Sequence, residues 1–108
     1  MARIVTVAAA QLGPIQREDS RASCVERMID LLQQSSRAGC DLVVFPELAL
    51  TTFFPRWFVS DIREADHWYE TSMPNAETQP LFDEAKRLKI GFSLGYAELT
   101  ADGQRFNT

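Results

Sequence analysis

The spacing of apolar side chains changes period several times along the chain, and each change marks an element. Residues 4–12, "IVTVAAAQL", are nearly continuous in apolar positions, which predicts a strand buried on both faces. Ala8, Ala9 and Ala10 leave room there for something to pack closely, and Gly13-Pro14 ends the run. From about residue 20 to 38 the period becomes helical. Val25, Met28, Ile29 and Leu32 fall at i, i+3, i+4 and i+7, which puts one apolar stripe against a sheet. Two start signals compete: Ser20 as an N-cap, or Ser23 with Glu26 as a capping box one turn later. Gly39 stands where a left-handed residue closes a helix.

Residues 42–45, "LVVF", predict a second buried strand. With a helix between the two strands this is a βαβ unit, so the strands are expected to be parallel and the crossover right-handed. An aromatic-rich loop follows over residues 51–58, and Ser60 then predicts the N-cap of a short helix through Ile62, Ala65 and Tyr69. "MPNAETQP" breaks that helix and starts another, whose stripe is Leu81, Phe82, Ala85 and Leu88. Residues 91–99 predict a third strand, with Phe92, Leu94 and Tyr96 alternating against Ser93, Gly95 and Ala97. Asp102-Gly103 between two strand-like runs is a hairpin signal. The expected class is therefore α/β, with a mixed sheet and helices on one face. The sequence stops at Asn107-Thr108 inside a fourth strand, which leaves an unpaired edge and half a core. The expectation is that residues 1–108 are the N-terminal portion of a single domain continuing beyond Thr108.

Bulk properties narrow the function classes. Hydrophobic residues at 45% and charged ones at 24% fit a globular chain rather than a disordered one. A formal charge of −4 with no basic run argues against nucleic acid or an anionic membrane as partner. No apolar segment approaches the roughly 20 residues that cross a bilayer. The N-terminal apolar run is interrupted by Thr6 and lacks a cleavage region, so it reads as a strand and not a signal peptide. Cys24 and Cys40 form neither a disulfide framework nor a metal-ligand spacing. A cytoplasmic location is the simplest reading.

One residue sits awkwardly in this pattern. Glu47 follows "LVVFP" and precedes "LAL", a carboxylate in surroundings expected to be dry. In α/β sheets functional groups collect beyond the carboxyl ends of parallel strands, and Pro46 donates no ladder bond and ends the strand cleanly. A carboxylate stripped of hydration is a stronger base, so the position suits a general base. The competing reading is a structural strand-end Glu that caps a helix or faces water.

The stretch "CDLVVFPELALTTFFPRWF", preceded by "VAAAQLGP", resembles the start of a nitrilase-superfamily hydrolase, whose first signature is "FPE" after an apolar strand. "LALTTFFPRWF" is similar more narrowly to the N-carbamoyl-D-amino acid amidohydrolases, and the resemblance continues through "IGFSLGYAEL" to "RFNT". It implies an α-β-β-α sandwich and a Glu-Lys-Cys catalytic set, of which the Glu maps to Glu47. Lys86, Lys89, Cys24 and Cys40 do not match the family's Lys and Cys motifs. The resemblance further implies a small N-carbamoyl amino acid as substrate, no metal or organic cofactor, and assembly as a dimer or tetramer. Within the superfamily an aliphatic amidase, a β-ureidopropionase-like enzyme or a carbamoylputrescine-type hydrolase stays open. From another class, so does a non-catalytic α/β binding module.

Other candidates carry two readings each. Phe53 and Phe54, just past Glu47, are candidates for the wall of a substrate pocket; with Trp57 and Phe58 they serve equally as loop packing or a subunit contact. Arg56 is expected to pair with a neighbouring acid rather than with a substrate carboxylate. His67, the single histidine, and the acidic run 64–66 read as surface. Asn107 is expected to order its strand through side-chain hydrogen bonds.

Overall fold

The computed structural model describes residues 2–108. Three short strands, β1 (Val7–Ala9), β2 (Leu42–Val44) and β3 (Gly91–Ser93), form a parallel sheet in the order β1-β2-β3. The register sets Val7 beside Leu42, and Val43 beside Phe92. Each crossover carries a helix, α1 (Arg21–Arg37) before β2 and α2 (Gln79–Leu88) before β3, as parallel pairing requires. A second ladder is the antiparallel hairpin of β4 (Ala97–Leu99) and β5 (Arg105–Asn107), with Gly103 at φ +85° in its turn.

Helix α1 starts where Ser20 caps it. The Ser20 Oγ accepts from the Ser23 N–H at 3.1 Å, so the Ser20 reading holds and the capping box one turn later does not form. Gly39 follows the helix at φ +81°, a conformation that costs a β-carbon but not a glycine. The predicted stripe is buried: Val25, Met28 and Leu32 pack with Leu81 and Ala85 of α2 against Val43 and Phe45. Each fully buried aliphatic side chain of this kind contributes roughly 1.5–3 kcal/mol.

Both helices cover the same side of the sheet. Val43 and Phe45 point into the core while Val44 between them is 40% exposed. This corrects the expectation of two-sided burial for the first strand. Ile4 is 88% exposed and Val7 54%, because the described residues supply a helical layer on one face and nothing on the other.

Two further expectations shift in detail. The segment read as a helix from Ser60 is a 3-10 helix, Ile62–Trp68, and its cap is Asp61, whose carboxylate accepts from the Arg63 N–H. Ser60 instead donates to the Glu64 side chain at 3.1 Å. The long third strand divides at 94–96 into β3 and β4, so the parallel and antiparallel ladders are successive rather than one continuous mixed sheet. Among the described residues no helix is long and apolar enough to cross a membrane.

Candidate active site

Glu47 occupies the turn that leaves the central strand, and backbone bonds on both sides fix that turn. The Phe45 N–H donates to the Ser93 carbonyl at 3.0 Å, and the Ala49 N–H to the Gly95 carbonyl at 3.0 Å. Between these bonds Leu48 adopts φ +49°, a left-handed conformation costing a non-glycine residue about 1–2 kcal/mol. Its side chain is 6% exposed, packed with Phe54, Ala65, Trp68 and Ala97 in a second apolar cluster. Burial of a leucine, roughly 1.5–3 kcal/mol, outweighs the strain and locks the turn.

Gly95 permits this approach. A β-carbon there would lie 3.4 Å from the Glu47 Cα and 3.5 Å from the Leu48 nitrogen, which is ordinary contact with no space to spare. A methyl is therefore tolerated, and the branches of valine are not. In the full-length protein Gly95→Ala is expected to turn over normally, while Gly95→Val, by displacing the Glu47 turn, loses on the order of 10²-fold in kcat. Steady-state kinetics on the two variants checks this, and equal activities would contradict it.

The Glu47 side chain accepts a hydrogen bond from Asn107, Nδ2 to Oε1 at 2.5 Å, across 60 residues of sequence. Two hollows meet at Glu47. One, of about 200 Å³, is bounded by Leu12, Pro14, Ile15, Phe53 and Arg56; the other, of about 330 Å³, by Phe53, Tyr69, Arg105 and Asn107. Arg27 of α1 holds the first wall by donating to the carbonyls of Leu12 and Pro14. The strand-end placement expected for Glu47 holds. The dry surroundings do not: among the described residues Glu47 is exposed, because both hollows beside it open outward.

The neighbouring candidates separate. Phe53 is 45% exposed and borders both hollows. Phe54, also a candidate for the substrate wall, is 7% exposed and stacks on Trp68 with ring centroids 5.3 Å apart and planes 7° from parallel. It borders the larger hollow but spends its surface on packing. The guanidinium groups of Arg17 and Arg56 both lie over the Trp57 ring, 5.0 Å and 4.7 Å from its centroid, and Phe58 is 93% exposed. Arg56 makes no ion pair with an acid among the described residues, contrary to expectation; its charge rests over the Trp57 ring.

Cys24 is fully buried in α1, and burial pushes its thiol above the usual thiol range, the setting of an inert packing residue. Cys40 is partly exposed just before β2. Lys86 and Lys89 are exposed and border a different hollow, beside Phe92 and Tyr96. His67 is exposed, as expected. Sequence reasoning missed three contributors to the site: the left-handed Leu48, the close approach at Gly95, and the reach of Asn107 to Glu47. The Asp102-Gly103 turn signal places Asn107 opposite Ala97 but says nothing about which loop lies beneath that pair.

The sequence model of the family described as "Carbon-nitrogen hydrolase" matches residues 6–108. The chain belongs to the carbon-nitrogen hydrolase family. It is 33% identical over 82 residues, 69% of this chain, to a protein named cyanide hydratase from Penicillium rubens. Among solved structures it superposes on the glutamine-dependent NAD+ synthetase of Acinetobacter baumannii, solved with ADP, at a TM-score of 0.61 and 25% identity over 94% of this chain. The chain spans 23% of the length of the first and 17% of the second. The α/β architecture, a parallel sheet with helices on one face, is thus that of a carbon-nitrogen hydrolase segment.

Proposed function

We propose that this carbon-nitrogen hydrolase chain is the N-terminal portion of a single domain that continues beyond Thr108, and that the whole protein converts N-carbamoyl-D-amino acids to D-amino acids, ammonia and carbon dioxide. The observation that carries the reading is Glu47, fixed at the carboxyl end of the central parallel strand between two hollows, within a stretch resembling the D-carbamoylases. Glu47 is the general base. It takes the proton from a cysteine thiol as sulfur attacks the carbamoyl carbon, and a lysine ammonium stabilises the oxyanion; neither partner maps onto this chain. Ammonia leaves after protonation, giving a thioester-like intermediate. Glu47 then takes a proton from water, hydroxide adds to that carbon, and the thiol is released. The carbamate so formed loses carbon dioxide to leave the amino acid. Phe53, exposed beside Glu47, contributes to the pocket wall. The protein acts in the cytoplasm as a dimer or tetramer, without a metal or organic cofactor.

The likeness to cyanide hydratase favours a second reading at the same site, addition of water to a nitrile. One assay separates the two. The full-length protein is offered paired D- and L-N-carbamoyl amino acids and simple nitriles, before and after thiol alkylation. Ammonia and free D-amino acid, abolished by alkylation, are the expected result; turnover of nitriles alone selects the second reading, and activity that survives alkylation removes the thiol. Cys24, fully buried, is expected to remain unlabelled, whereas Cys40 is partly exposed, so peptide mapping assigns any lost activity to the thiol that reacted.

A further inference from the structure

A carboxylate with three rotatable bonds, exposed at a turn, has no reason to hold one orientation. Glu47 has one partner that imposes it. A carboxylate only accepts, so the amide group of Asn107 must turn its nitrogen toward it, as the Nδ2 to Oε1 bond shows. That bond occupies Oε1 and leaves Oε2 without a protein donor among the described residues, a lone pair free to receive a proton.

Asn107 is itself rigidly placed. It sits opposite Ala97 in the hairpin, and the adjacent pair, Tyr96 and Thr108, exchanges both backbone hydrogen bonds at 2.8 and 2.9 Å. Ala97 is buried against the cluster that holds Leu48, the residue after Glu47. Donor and acceptor are therefore anchored to one packed unit. The charged groups bordering the two hollows do not compete for the carboxylate. Arg105 donates to Asp66 and lies over Tyr69, while Arg56 lies over Trp57.

We propose that Asn107 is a positioning residue that fixes which oxygen of Glu47 acts as the base. This rests on the reading of Glu47 as general base. A single hydrogen bond of this kind restricts the carboxylate to a near-attack orientation, and misplacement of a reacting group lowers turnover while leaving substrate binding in place.

The test uses the full-length protein with an N-carbamoyl-D-amino acid as substrate, and three variants: Asn107→Ala, Asn107→Asp and Glu47→Gln. Asn107→Ala is expected to lose on the order of 10- to 100-fold in kcat with KM unchanged. Asn107→Asp, although it keeps the shape of asparagine, is expected to be worse than Asn107→Ala, because a like charge drives the Glu47 carboxylate away. A residue needed for packing alone would rank them the other way, with the isosteric Asp tolerated and the truncated Ala impaired; that ranking, or wild-type kcat in Asn107→Ala, overturns the proposal. Melting temperatures of the variants report any folding loss separately from the kinetic order. Glu47→Gln distinguishes the two layers of the argument. If it turns over normally the base assignment fails and the positioning role with it. If it is inactive while both Asn107 variants match wild type, the positioning role alone is lost.

Discussion

Glu47→Ala in the full-length protein is expected to be folded and nearly inactive. A single general base typically contributes about 10²–10⁴-fold, and a residue that acts in both halves of the cycle should cost at least that. Folding should survive because the turn does not depend on the carboxylate. Backbone bonds to Ser93 and Gly95 hold it, the Leu48 side chain anchors it, and the Glu47 side chain is exposed. Glu47→Gln sharpens the result, since its Oε1 still accepts from Asn107 while its amide cannot accept the proton. Far-ultraviolet circular dichroism and turnover, measured together, check the prediction. Native dichroism with wild-type turnover in Glu47→Ala would remove the carboxylate from the chemistry.

The largest expected loss of stability lies elsewhere, at Arg21. Its guanidinium pairs with Glu70 and donates to the carbonyls of His67 and Tyr69. The Glu70 side chain is 5% exposed and also accepts from Asn75 at 2.9 Å. Replacing Arg21 by alanine leaves a buried carboxylate short of its cation. Such a loss costs roughly 3–5 kcal/mol in a dry interior, and with Arg21 20% exposed the lower end, about 3 kcal/mol, is expected. Urea denaturation of the full-length protein reads this as a lower midpoint. Arg21→Met combined with Glu70→Leu is expected to recover most of it, because the pair then vanishes together. A single variant with an unchanged midpoint would show the pair to be dispensable.

What the sequence made legible follows from how local each signal is. The α1 stripe, its N-cap and the Gly39 terminator all lie within one or two helical turns of what they govern; the stripe and Gly39 appear as expected, and of the two start signals it is Ser20 that caps. The parallel pairing of β1, β2 and β3 follows from alternating strands with helices. The division of the third strand was hidden, because Gly95 fits an alternating pattern until the Glu47 turn is laid against it. Glu70 fared similarly. It closes the polar stretch "READHWYE", and nothing nearby reveals that Arg21, 49 residues earlier, turns it inward. For Glu47 the position at the strand end was readable from Pro46 and the preceding apolar run. Its exposure was not, since apolar neighbours in sequence do not say which way the hollows open.

The bond between Asn107 and Glu47 also has a bearing on the order of assembly. The three parallel strands and their helices close through contacts made before residue 94, whereas the donor to Glu47 arrives 60 residues after its acceptor, in the β4–β5 hairpin. Joining such distant segments is entropically late work for a chain. A nascent polypeptide can therefore possess both helices and the paired three-stranded sheet while the Glu47 carboxylate still swings freely. Only when the β4–β5 hairpin has docked is that carboxylate held in one orientation.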